Sequence, residues 1–281
     1  MAEVILGRTM IKTNKNGFGA LPIQRVSAEY AGMLLRKAFA GGITFFDTAR
    51  SYSDSEEKMG AALADLRKDL YLATKTPAMT ADDFWRDLEI SLGNLKTDYL
   101  DLYQFHNPAI CPRPDDGTGL YEAMLSAKAQ GLLRFIGLTN HRLDVAKEAV
   151  TSGLYDTLQF PLSYLATDRE LELVQLCHDH NVGFIAMKGL SGGLITRADA
   201  AYAWLAQYDQ VLPIWGIQRE VELDQFLLFA TQPPVLSDEL QAVIARDQAE
   251  LKGNFCRGCG YCMPCPAGIK INNCARMIQL I

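Results

Sequence analysis

Four side chains of the kinds that hold or move protons stand at the ends of short apolar runs. Asp47 lies near the end of ITFFDTA (43–49), and Tyr52 follows in the loop Thr48-Ala49-Arg50-Ser51-Tyr52. Lys75 lies in LYLATKT (70–76), and His106 in YLDLYQFHN (99–107). Together they suit reduction of a carbonyl group. Hydride addition builds negative charge on the carbonyl oxygen, and a positioned acid must supply a proton. A tyrosine hydroxyl ordinarily titrates near about 10. A neighbouring lysine ammonium is expected to lower that value. An aspartate keeps the lysine charged and in place, and a histidine orients the carbonyl and shares the proton. Any one of these residues alone also has a structural reading: a helix cap, a rim aromatic or a solvated strand end. Four compatible groups at three successive run ends favour chemistry.

The elements that must carry them follow from the pattern of apolar residues. Eight runs recur: 17–23, 43–49, 70–76, 99–107, 135–140, 157–164, 183–190 and 211–217. Each is short and nearly continuous in apolar character, as suits strands buried on both faces of a parallel sheet. Amphipathic stretches separate them. AEYAGMLLRKAFAGG (28–42) carries apolar residues at helical spacing and ends in glycine. SEEKMGAALADL (55–66) follows Ser53-x-x-Glu56, which has the form of a capping box. Eight strand–helix units predict a closed (β/α)₈ TIM barrel, which places its chemistry at the C-terminal ends of its strands. An open doubly wound sheet is the competing α/β fold, disfavoured by the missing early GxGxxG. Residues 3–15 predict an N-terminal β-hairpin with Gly7 in its turn. The expected organisation is a barrel over residues 1–235 and a C-terminal helix with a Cys-rich segment over 236–281.

The order FDTARSY, SEEKMG, LATKT, DLYQFHN, IGLTNH and LQ (158–159) resembles the aldo-keto reductase family over roughly residues 4–230. The resemblance implies that Tyr52 is the proton donor, with Asp47, Lys75 and His106 in support. It also implies a nicotinamide cofactor, NADPH with NADH as the alternative. Thr139, Asn140 and Gln159 match positions that hold the nicotinamide carboxamide. Leu190, Ser191 and Gly193 match a loop over the pyrophosphate, and Gly216, Gln218 and Arg219 a loop at the adenosine phosphate. Arg219, the guanidinium of that loop, is expected to meet a 2′-phosphate. Two departures stand out. Phe226 occupies a position where the family has an asparagine against adenine, and residues 216–219 lack the usual Lys/Ser-rich grip.

Five of the seven cysteines fall between Cys256 and Cys274. Cys256-x₂-Cys259-x₂-Cys262-x₂-Cys265-Pro266 has the spacing of thiolates that wrap a [4Fe–4S] cube. The fourth ligand is Cys265 or Cys274. A structural zinc site is the alternative. The tail resembles the iron–sulfur extension of one branch of aldo-keto reductases. Cys111 and Cys177 stand apart and are expected to be packing residues.

The 281 residues are 49% hydrophobic and 21% charged, with a net charge of −6 and no Lys/Arg block. This disfavours nucleic acid or an anionic membrane as the main partner. No apolar run reaches the length of a membrane span, and MAEVILGRTM lacks a signal peptide's apolar core. A cysteine cluster of this kind suits a reducing, cytoplasmic setting. The expected activity is an oxidoreductase acting on a small carbonyl substrate. The alternatives are a reductase fed by a ferredoxin-type partner through the cluster, and a non-catalytic nucleotide-binding redox sensor.

Overall fold

The structure, a computed structural model, describes residues 2–251, 265–269, 271 and 274. Strands β1 (Glu3–Ile5) and β2 (Lys12–Asn14) form the antiparallel hairpin. Gly7 lies beyond β1 at φ +48°, where a β-carbon would meet the Gly183 amide nitrogen at 2.4 Å. Only glycine tolerates both that backbone angle and that contact.

Eight strands then close a barrel: β3 (Gly17–Gly19), β4 (Phe45–Asp47), β5 (Tyr71–Thr76), β6 (Leu100–His106), β7 (Leu133–Thr139), β8 (Thr157–Pro161), β9 (Gly183–Met187) and β10 (Val211–Gly216). Every pairing is parallel, and β10 closes on β3. Helices alternate with them: α1 (Ala28–Ala40), α2 (Ser55–Leu63), α3 (Ala81–Leu95), α4 (Leu120–Ala129), α5 (Leu143–Thr151), α6 (Asp168–Asp179), α7 (Ala198–Ala206) and α8 (Glu220–Thr231). A further helix, α9 (Asp238–Glu250), follows.

Local chemistry explains where the helices begin. The Ser27, Thr80 and Ser237 side chains accept from backbone N–H groups at the starts of α1, α3 and α9, satisfying donors that lack helical partners. In α1 the residues Ala31, Leu34, Leu35 and Ala38 are buried, a stripe at helical spacing against the barrel. The expected capping box at α2 is not formed. Asp54 is the N-cap, with no side-chain cap bond, and Ser53 donates to Gln24 Oε1 at 3.2 Å instead. Glu56 is drawn inward by partners from three other elements.

Two cores result. The larger lies between the outer faces of the strands and the helices. The smaller fills the barrel floor with Phe45, Ala73, Leu102, Ile185, Leu212 and Ile214, and the hairpin residues Val4, Leu6 and Ile11 plug it from below. That leaves the opposite, C-terminal mouth for polar groups. Among the described residues, no helix is long and apolar enough to cross a membrane.

Candidate active site

Alternate residues of a barrel strand face the interior. One step above Phe45, Ala73 and Leu102 on their strands come Asp47, Lys75 and Gln104, and β8 adds Gln159. The apolar floor therefore gives way to a polar layer. The Lys75 Nζ lies 2.6 Å from Asp47 Oδ2, with side chains 1% and 3% exposed. It also donates to the Thr48 carbonyl at 2.6 Å. Gln104 Nε2 donates to Asp47 Oδ1 at 3.3 Å and to Gln159 Oε1 at 3.0 Å. Burial pushes the Asp47 carboxyl above its ordinary range, against the pull of Lys75 and the weaker pull of the two amides.

Tyr52 and His106 sit above this layer. Lys75 Nζ lies 5.3 Å from the Tyr52 ring centre, and the Tyr52 and His106 rings meet edge-on at 5.6 Å. The four side chains read from the sequence thus gather at one mouth. The loop carrying Tyr52 is pinned from below. The Arg50 amide donates to the Lys75 carbonyl at 3.0 Å, and the Arg50 guanidinium donates to the wholly buried Glu56 at 2.5 Å. Glu56 also accepts from Thr74 Oγ1 and Ser91 Oγ, each at 2.7 Å. One carboxylate so ties the Tyr52 loop to β5 and α3.

The electrostatics correct one expectation. Lys75 does pull the Tyr52 hydroxyl down, but burial is the larger effect and leaves it above its ordinary value. Desolvation disfavours the phenolate more than the nearby ammonium favours it. Tyr52 therefore keeps its proton. His106 moves the other way. Burial, then the Lys75 charge and His141, push its imidazole down to about 3. A neutral imidazole can orient a carbonyl oxygen by hydrogen bonding.

Residues matched to nucleotide positions divide into two groups. Thr139 and Gln159 flank Met187, each 3.9 Å from its sulfur, at the edge of the polar layer. Asn140 Oδ1 accepts from the His141 and Arg142 amides at 2.9 and 2.8 Å, and its Nδ2 donates to the Pro108 carbonyl at 2.9 Å. It braces the turn between β7 and α5. The second group lies after β9 and β10. Ser191 and Gly193 adopt positive φ, and their amides donate to the Lys188 and Leu190 carbonyls at 2.7 and 2.9 Å. Ser191 Oγ is 2.8 Å from Ser163 Oγ. Gly216, at the end of β10, is exposed. The Gln218 and Arg219 amides both donate to Glu222 at 2.9 Å. The Arg219 side chain, 69% exposed, donates to the same carboxylate at 2.8 Å. Phe226 is buried and stacks on Trp215 with ring centres 4.4 Å apart.

Gln104 and Glu56 are the residues that reading the sequence misses as parts of this site. Gln104 has a signal: it stands two before His106 on one strand and so shares its face. Glu56 has none beyond its charge in a helix whose first turns are buried. Cys111 and Cys177 are buried packing residues, and Cys111 belongs to the outer core. Of the tail cysteines, Cys265 is half-buried and Cys274 exposed, both as free thiols. Cys256, Cys259 and Cys262 lie outside the described residues. Among the described residues, no group of three or more His, Cys, Asp or Glu side chains is placed to hold a metal ion.

Helix α9 reaches the same mouth. The Tyr164 hydroxyl, on the loop after β8, donates to Asp247, and Gln248 donates to the Tyr164 carbonyl at 2.5 Å. The C-terminal turn of α9 is thereby fastened to the loop that follows β8.

Known proteins resemble this chain in sequence and fold. The uncharacterized oxidoreductase YqkF of Bacillus subtilis is 29% identical over 206 residues, covering 68% of this chain and 66% of that protein. L-galactose dehydrogenase of Arabidopsis thaliana is 30% identical over 211 residues, with the same 68% and 66% coverage. The chain thus matches just under two thirds of the length of these relatives. An aldo/keto reductase from Klebsiella pneumoniae, solved in complex with NADP and acetate, superposes with a TM-score of 0.74 at 25% identity, covering 87% of this chain and 94% of that one. The profile of the Aldo/keto reductase family matches residues 4–203. The chain belongs to the aldo/keto reductase family.

Proposed function

We propose that this chain is an oxidoreductase that reduces an aldehyde or ketone with NADPH, with NADH as the weaker alternative. The observation that carries the reading is the buried Asp47–Lys75 pair at 2.6 Å beneath Tyr52 and His106. Family membership and the NADP held by the Klebsiella relative support the choice of cofactor. Thr139, Asn140 and Gln159 would hold the nicotinamide end. Leu190, Ser191 and Gly193 would line the pyrophosphate, and Gly216, Gln218 and Arg219 the adenosine end.

NADPH, when bound, supplies the hydride. The residues of this chain do the rest. Tyr52 gives its proton to the carbonyl oxygen as negative charge develops there. Lys75, held by Asp47 and the Thr48 carbonyl, keeps its positive charge near the phenolate that this step leaves behind, in a setting where burial makes that charge count. Neutral His106 orients the carbonyl. Glu56 and Arg50 hold the Tyr52 loop in register with Lys75. Met79 and Ile110 are exposed on the loops after β5 and β6, and apolar side chains on those loops would favour a carbonyl with an apolar arm. The complete set of proton-handling groups speaks against a non-catalytic sensor.

The cysteine tail belongs to the same proposal. Cys256, Cys259 and Cys262, with Cys265 or Cys274 as the fourth, form a thiolate set suited to [4Fe–4S]. They make residues 236–281 an appendage to the barrel of residues 1–235. A redox-active cluster would admit a ferredoxin-type electron partner.

Protein purified without oxygen, given NADPH and a panel of aldehydes and ketones, tests the reading. Consumption of NADPH matched by alcohol formation is expected. No NADPH binding and no turnover with any carbonyl would overturn it. Iron and sulfide near four each per chain would support the cluster, and one zinc with no iron would replace it.

A further inference from the structure

We infer that Gln104 is a positioning residue that ties the Asp47–Lys75 pair to Gln159 and fixes which end of Gln159 faces the nicotinamide. The inference rests on the NADPH reading above. Gln104 is wholly buried in the barrel interior. A carboxamide nitrogen carries two hydrogens, and here each has its own acceptor: Asp47 Oδ1 at 3.3 Å and Gln159 Oε1 at 3.0 Å. Reversing the Gln104 amide would set its oxygen against a carboxylate and a second amide oxygen. Its orientation is thereby determined.

That orientation decides Gln159. With its oxygen taken by Gln104, Gln159 keeps its amide nitrogen for other partners. Within the protein these are distant: Asp47 Oδ2 at 3.5 Å and the Met187 sulfur at 3.9 Å. Gln159 is left presenting N–H donors, the complement of a carboxamide oxygen on a nicotinamide ring. The same bridge occupies Asp47 Oδ1 and leaves Oδ2 to Lys75 at 2.6 Å.

Two further observations separate this role from packing. The barrel makes room for the residue: a β-carbon on Gly137 of β7 would lie 2.8 Å from Gln104 Cγ and 2.5 Å from Thr157 Oγ1. Gln104 Oε1 is also buried with no hydrogen-bond partner among the described residues. An unsatisfied buried acceptor is costly, and a leucine or methionine would fill the space without one. The residue keeps its cost and supplies two donors.

The test is a double-mutant cycle on nucleotide affinity, using Gln104→Leu, Gln159→Leu and the pair in the full chain, with NADPH binding followed by fluorescence. Gln104→Leu should raise the NADPH Kd by about five- to hundred-fold, the range for leaving buried partners unpaired. Adding it to Gln159→Leu should change little, because the residue acts through Gln159. The carbonyl KM should move less than the NADPH Kd. Gln104→Met serves if the leucine variant does not fold. Additive losses, or an NADPH Kd equal to that of the wild type, would overturn the inference alone. A wild-type protein that does not bind NADPH would overturn the functional reading with it.

Discussion

The two sides of the barrel mouth are built differently. On the β4–β6 side, Asp47, Lys75 and Gln104 are buried and hydrogen-bonded to one another or to the backbone, and Glu56 braces the loop above them. On the β9–β10 side, Gly216 and Arg219 are exposed, and Arg219 is already paired with Glu222. The first side is held in place by its own hydrogen bonds, as the proposed proton transfer would require. On the second side, the proposed nucleotide grip would depend on a cation that already pairs with a protein carboxylate. Chemistry needs groups held to fractions of an ångström, whereas a nucleotide's distal end contributes affinity that can vary without moving the reacting atoms.

Breaking the tight side should cost most. Lys75→Met would leave Asp47 buried without its counter-charge, and removing one partner of such a pair costs about 3–5 kcal/mol. Asp47 can escape part of the loss by taking up a proton. A carboxyl whose folded pKa is raised binds protons that the unfolded chain does not, so its stability contribution falls as pH rises above about 4. Urea unfolding should therefore show the variant less destabilised at pH 5 than at pH 8. An equal loss at both would mean that Asp47 is not the group left exposed to the deficit.

An intermediate effect should come from acid. With His106 at about 3 in the folded protein and near about 6.5 unfolded, the unfolded chain binds the extra proton between those values. Stability is fully present above pH 6.5 and is lost as pH falls toward 3. His141, likewise pushed down to about 3 by burial and the Lys188 and Arg142 charges, adds to the same slope. His106→Gln should flatten the fall in urea midpoint between pH 6 and 4. An unchanged slope would show that His106 titrates normally in the folded state.

The smallest effect belongs to the loose side. Glu222→Gln releases Arg219, so binding of NADPH relative to NADH should improve a few-fold, in keeping with about 0.2–1 kcal/mol for an exposed ion pair. Arg219→Ala should shift the ratio the other way. If neither changes the ratio, the 2′-phosphate lies elsewhere and the contrast between the two sides is less sharp.

Much of the tight side is legible in the sequence. The eight apolar runs correspond to β3–β10, and the rule that barrel chemistry sits at strand C-termini brings Asp47, Tyr52, Lys75 and His106 to one mouth. Three features escape. Ser53-x-x-Glu56 has the local form of a cap, but Arg50, Thr74 and Ser91 compete for Glu56 from elements that only the fold brings near. Gln104 reads as one polar residue in an apolar strand until the barrel closes Asp47 and Gln159 around it. The upward shift of Tyr52 depends on how deeply the ring is covered, which spacing does not encode. On the loose side, Arg219 and Glu222 are three residues apart, so the competition between them was open to a reading of the sequence. Phe226 could be seen to replace an expected asparagine, but its stacking on Trp215 required the packed helix.

The claim that Tyr52 is the acid is tested most directly by one comparison: kcat and NADPH affinity of Tyr52→Phe against wild type, with the best carbonyl substrate at saturation. The variant keeps the ring that packs against His106 and loses only the hydroxyl. The account predicts that kcat falls by about 10²–10⁴-fold while the NADPH Kd stays within about twofold, as for an interaction made in the transition state alone. A kcat close to wild type, with the same nucleotide affinity, would contradict it.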